Sequence, residues 1–148
     1  MDLRKVALLI VVLGVAVVLL SFKNTSGTSG FGEGLSEEDL TKISPGNIQI
    51  TAVFLNPMYP DMSKPAIYVR LDTHSGDLYT YDMLNKTFLE VGGERYRPTE
   101  WKEDDSSWGH HRYGVFTFPE SALELIKKER NFKLVIELDS TRVLEWRI

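Results

Sequence analysis

The chain has 148 residues, 26% of them charged, with 21 acidic against 17 basic side chains and a formal net charge of −4. That length leaves room for one ordinary domain plus a short extra segment, and the acidic balance lacks the basic face of a nucleic-acid binder. No cysteine is present, which excludes a disulfide framework, thiol catalysis, a lipid-modified N-terminal cysteine and any cysteine-ligated metal.

The N-terminus reads MDLRK, and residues 6–22 follow without a charge. A helix of that run spans roughly 25 Å, just short of a hydrocarbon core of about 30 Å. Lys5 and Lys23 can snorkel from its ends. A core helix would show a polar face, and this run has none. A cleaved leader would end in small residues, whereas Leu20-Ser21-Phe22-Lys23 does not. The pattern predicts an uncleaved signal anchor over 6–22. Arg4 and Lys5 then hold residues 1–5 in the cytoplasm and place the rest outside.

Residues 24–34 carry four glycines and several hydroxyls, the composition of a flexible tether. Leu35 and Leu40 bracket Ser36-Glu37-Glu38-Asp39, which has helix-start chemistry. One or two turns are expected before Pro45-Gly46, so the linker is assigned to 23–46. Asn24-Thr25-Ser26 and Asn85-Lys86-Thr87 fit the glycosylation sequon, which matters only in a glycosylating host.

Residues 47–148 read as short strands between turns. Ile48, Ile50, Ala52 and Phe54 alternate with Gln49, Thr51 and Val53, as do Ile67, Val69 and Leu71 with Tyr68 and Arg70. Further strands are expected at 78–82, 87–91, 95–101 and 113–118. The last two carry Leu134, Ile136 and Leu138, then Leu144, Trp146 and Ile148. One helix is expected at 120–130, with Leu123 and Ile126 facing the core. Seven or eight strands in about 100 residues predict an all-β fold. The expected form is an immunoglobulin-like antiparallel β-sandwich with one short helix, preceded by the transmembrane helix.

All three histidines fall in two segments, Asp72-Thr73-His74-Ser75-Gly76-Asp77-Leu78 and Trp108-Gly109-His110-His111-Arg112-Tyr113-Gly114. With the following Val115-Phe116-Thr117-Phe118-Pro119, they resemble the D-T-H-S-x-D-L … G-H-H-R-x-G-V-L-x-F-P signature of an uncharacterised prokaryotic family. The resemblance covers about 47–148 and includes Arg142 and Trp146, and Phe116 stands where leucine is usual. It implies an exported or membrane-anchored protein and no assigned activity.

His74, His110 and His111 with Asp72 would supply nitrogen and oxygen ligands to zinc or copper. Adjacent strand residues point to opposite faces, so His110 and His111 share a metal only in a loop. The alternative is structural, with imidazoles bonded where two loops meet and Asp72 orienting His74. Met58 and Met62 suit Cu(I) or, more simply, the packing of a loop. Asp72, Asp77 and Asp82 lack EF-hand spacing. Trp101 and Trp108 bracket an acidic loop, either to contact a partner or to close the end of the sandwich. Ser75 or Ser107 beside a histidine would imitate a nucleophile–base pair, but no nucleophile elbow accompanies them. The sequence therefore reads as a non-catalytic interaction or structural module held at the membrane, with a surface or envelope protein as partner. A transition-metal module is the alternative, and a hydrolytic enzyme comes third.

Overall fold

The computed structural model describes residues 32–148. The expected cytoplasmic end, signal anchor and first sequon lie outside the described residues. Among the described residues no helix is long and apolar enough to cross a membrane.

The described chain is mostly β, in two antiparallel sheets. A short helix α1 (Glu37–Leu40) leads into β1 (Thr41–Ser44), β2 (Ile48–Phe54) and β3 (Ala66–Thr73). A 3₁₀ turn at Leu78–Thr80 precedes β4 (Thr87–Val91), β5 (Glu94–Tyr96), β6 (Glu100–Glu103) and β7 (His111–Thr117). Helix α2 (Glu120–Glu129), β8 (Asn131–Glu137) and β9 (Thr141–Arg147) complete the chain. The first sheet runs β1-β2-β3-β7-β6 and the second β5-β4-β8-β9.

Strand alternation builds the core. Ile50, Ala52 and Phe54 of β2, Val69 and Leu71 of β3 and Phe116 of β7 face inward from the first sheet. Leu89, Leu134, Ile136, Leu144 and Trp146 meet them from the second. Phe54 meets Phe132 edge-on at 4.8 Å, and Phe132 stacks on Trp146 at 5.0 Å. Burying these side chains supplies the main driving force, at roughly 25 cal/mol per Å² of apolar surface. Helix α2 adds Ala122, Leu123 and Ile126 to the core. It stops where Arg130 adopts a left-handed conformation at φ 61°.

Three expectations change. The linker does not run to Gly46, because residues 35–44 belong to the folded unit. Ser36 and Asp39 form a reciprocal capping box at the start of α1. Leu40 is buried, and its carbonyl accepts a 2.8 Å bond from the Trp146 indole. β1 then pairs along β2, Thr41 opposite Val53. Arg142 fixes the next turn, donating to Ser44 Oγ and the Pro45 carbonyl while its other nitrogens hold Asp139 and Ser140. Its guanidinium fills the space a side chain at Gly46 would need.

Residues 78–82 are not a strand. The Asp77 carboxylate accepts from the Tyr79 amide and caps a 3₁₀ turn instead. Residues 95–101 are not one strand but two. Pro98 cannot continue a ladder, and β5 ends in the second sheet before β6 begins in the first.

Candidate functional site

The two histidine segments dock against each other at one end of the sheets. The Thr73 amide donates to the His110 carbonyl at 2.9 Å, and the Leu78 amide donates to the Gly109 carbonyl at 2.8 Å. Thr73 is buried, with its hydroxyl on the Asn47 and Ser75 carbonyls. Trp108 and His111 exchange backbone bonds of 2.7 and 2.8 Å, a tight hairpin with Gly109 and His110 at its tip.

β7 then sends consecutive side chains to opposite faces, as the pleat requires. Arg112 goes inward and is only 8% exposed. Its Nε donates to the Glu103 carboxylate at 2.8 Å, and its Nη1 donates to the carbonyls of Leu78 and Tyr81 at 3.0 and 2.8 Å. The guanidinium lies 5.1 Å from the Tyr79 ring and 5.8 Å from Trp101. Those bonds hold the 3₁₀ turn onto β6 and β7 and satisfy a charge that would otherwise be costly to enclose.

Trp101 also faces inward. Its ring lies 4.4 Å from Phe116, and its indole nitrogen donates to Glu103. A Cβ on Gly114 would sit 2.6 Å from that ring, so glycine is needed there. Of the two roles expected for Trp101, these contacts serve packing.

His111 goes outward. β3 and β7 pair antiparallel with Asp72 opposite His111 and Arg70 opposite Tyr113. His111 Nδ1 lies 2.5 Å from Asp72 Oδ1, and Arg70 Nε donates to Asp72 Oδ2 at 2.6 Å. An ionised carboxylate only accepts, so this pairing puts the proton on Nδ1. The Asp72 bond makes Arg70 still harder to deprotonate. The Arg70 guanidinium lies 5.4 Å from the Tyr113 ring centroid. Burial raises the Tyr113 phenol above its ordinary value, although Arg70 pulls the other way.

Trp108 is 54% exposed. Its ring centroid lies 5.2 Å from that of His110 and 4.9 Å from that of His111, and Tyr113 continues the row 6.4 Å beyond His111. Further along the same face, the loop after β2 folds over the sheet. Met58, Tyr59 and Met62 pack there against Leu55, Ala66, Val115 and Tyr68. Both methionines thus serve packing. Burial pushes the Tyr68 phenol up to about 12, with Arg70 opposing.

The expected ligand set is only partly assembled. Asp72 orients His111, not His74. His74 is exposed beyond the end of β3. Among the described residues no group of three or more His, Asp or Glu side chains is placed to hold a metal ion. The Ser107 hydroxyl donates to the Tyr113 carbonyl and accepts from its amide, so it is bound to backbone and not to a histidine. Two concavities of about 280 and 130 Å³ are lined from 58–66 with Glu100 and Thr117 and contain no histidine.

Arg70, Tyr113, Arg112 and Glu103 were not singled out from sequence. Arg70 and Asp72 sit two apart on one strand, as do His111 and Tyr113, and that spacing was the available signal. The comparison of this chain with known families, curated proteins and solved structures found no match.

Proposed function

We propose that this chain is a membrane-anchored module whose β-sandwich lies outside the cytoplasm and binds a partner without catalysis. The uncharged run at 6–22 and the preceding Arg4 and Lys5 support the anchor and its orientation. The strand order supports an immunoglobulin-like architecture. Counted from β2, it corresponds to A-B-E-D on one sheet and C′-C-F-G on the other, with β1 added beside the first.

The observation that carries the binding reading is Trp108. This indole stays more than half exposed while Trp101 and Trp146 are packed. Tryptophan, tyrosine and arginine are the side chains that most often anchor an interface. Here all three occur on one face, beside a histidine–aspartate pair.

The chain has no cysteine, so a single introduced thiol reports topology cleanly. Asp105→Cys in the full chain should react with a membrane-impermeant maleimide on intact cells. Asp2→Cys should react only after lysis. Labelling of Asp2→Cys in intact cells with protection of Asp105→Cys would overturn the reading.

A further inference from the structure

We infer that the loop between β2 and β3, residues 57–64, seats the sandwich on the lipid headgroups of the bilayer that holds its anchor, so that the histidine hairpin points away from the membrane. This rests on the anchored, extracytoplasmic reading above.

The chain enters the fold at this loop. The Leu35 amide donates to the Gly32 carbonyl at 3.1 Å. Gly32 has φ +94°, and a Cβ there would lie 2.5 Å from the Pro57 side chain. The entry point is therefore seated against the first residue of the loop. Nine residues, 23–31, connect it to the uncharged run at 6–22. Residues 25–30 are all glycine, serine or threonine, and nine residues of such a chain typically reach about 15–18 Å.

Strand register puts the histidine hairpin at the other end. β7 runs from His111, opposite Asp72, to Thr117, opposite Ala66 beside the loop. The Phe118 amide then donates to the Pro65 carbonyl at 3.0 Å. Six residue steps from Thr117 to His111, at about 3.4 Å each, set the hairpin roughly 20 Å from the loop. The tether thus brings the loop to the bilayer first, and the hairpin would need the length of the sandwich in addition.

The loop has the chemistry of a lipid interface. Met58, Tyr59 and Met62 pack on one side against Leu55, Ala66 and Val115 and are only half-buried. Pro60, Asp61, Ser63 and Lys64 are exposed. Tyrosine suits the headgroup level, where its ring is sheltered and its hydroxyl stays wet. Methionine adapts to irregular apolar surroundings, and Lys64 can lift its ammonium into water. Asn56 sets the loop's shape before any contact. Its Nδ2 donates to the Lys64 carbonyl and its Oδ1 accepts from the Ala66 amide, both at 2.8 Å. Charge selects the lipid. Asp61 and Lys64 cancel within the loop, and Glu100 lines the same concavity as both. The loop with its concavity has no cationic excess for an anionic leaflet, so a zwitterionic headgroup layer fits it.

The chain has no cysteine, so one introduced thiol reports on each end. Ser63→Cys lies in the loop, and Asp105→Cys lies between β6 and β7 at the hairpin end. Both would carry the same fluorescent dye in the full chain, reconstituted into phosphatidylcholine vesicles with some lipid bearing a headgroup nitroxide. The Ser63 label should be quenched severalfold more than the Asp105 label, and added phosphatidylglycerol should not increase the quenching. Pro60→Asp places a further carboxylate on the exposed tip and should lower quenching at Ser63 toward the Asp105 level, with urea unfolding showing that the fold is retained. Equal quenching of both labels, stronger quenching at Asp105, quenching unchanged in folded Pro60→Asp, or quenching that requires phosphatidylglycerol would overturn the inference. A chain that does not float with the vesicles removes the anchor reading itself. A chain that floats with an unquenched Ser63 label removes the seated loop alone.

Discussion

His111 and Arg112 are neighbours in sequence and opposites in surroundings. Arg112 lies between the sheets with Glu103 and two carbonyls accepting its protons. His111 lies on the outer face beside Asp72, under an exposed indole. The same split separates Trp101, packed on Phe116, from Trp108, left outside. A single histidine-rich segment thus contains an inward set of residues that holds the fold and an outward set available to a partner. The sequence of the segment mixes the two, and only the strand pleat sorts them.

The largest effect should come from the inward set. Arg112→Ala should cost about 3 kcal/mol, because the Leu78 and Tyr81 carbonyls lose their donor and Glu103 loses its counter-charge. Equilibrium urea unfolding measures this, and a loss below about 1 kcal/mol would show that the 3₁₀ turn does not depend on the guanidinium. Gly114→Ala should follow at about 2 kcal/mol. Its methyl would meet both the Trp101 ring and the Lys102 carbonyl at 2.6 Å, and a strained core costs roughly 1–3 kcal/mol. Unchanged stability in Gly114→Ala would mean that Trp101 moves freely.

The outer face has a covered end and an open end, and pH distinguishes them. At the covered end, burial raises the Tyr68 phenol from 10.0 to about 12. The unfolded chain therefore releases this proton first. Stability due to the shift is fully present below pH 10 and is lost as pH rises toward 12. The urea midpoint should fall over that interval and fall less steeply in Tyr68→Phe. An equal slope in that variant would assign the effect to Tyr59 and Tyr113, whose phenols burial also raises. The smallest effect belongs to His74. Its imidazole is exposed, so His74→Ala should change stability by less than about 0.5 kcal/mol, with or without chelator. A chelator-dependent melting temperature that disappears in His74→Ala would restore the metal reading.

Much of the sandwich was legible because hydrophobic alternation is local. Ile48 to Phe54 and Ile67 to Leu71 show the period of two directly, and α2 shows its apolar stripe. Elements fixed by distant partners were not legible. Thr41-Lys42-Ile43-Ser44 has one apolar residue and no strand signature. It is a strand because β2 lies alongside and Trp146, 106 residues away, anchors Leu40. Leu78-Tyr79-Thr80-Tyr81 has β-prone residues, yet the Leu78 and Tyr81 carbonyls are satisfied by Arg112. The site had the same limitation. The sequence brought Asp72 and the histidines together as types, but the choice of His111 over His74 depends on a register spanning 39 residues.

The division between inward and outward residues is tested most directly by removing each tryptophan in turn. Trp101→Ala and Trp108→Ala in the same full chain would be compared by urea unfolding. Trp101→Ala should lose about 2 kcal/mol or more, because it vacates space beside Phe116 and leaves Glu103 with Arg112 as its one remaining side-chain donor. Trp108→Ala should stay within about 0.5 kcal/mol of the parent. Comparable losses in both would contradict the division and make Trp108 a structural residue, with no separate outer surface left to explain.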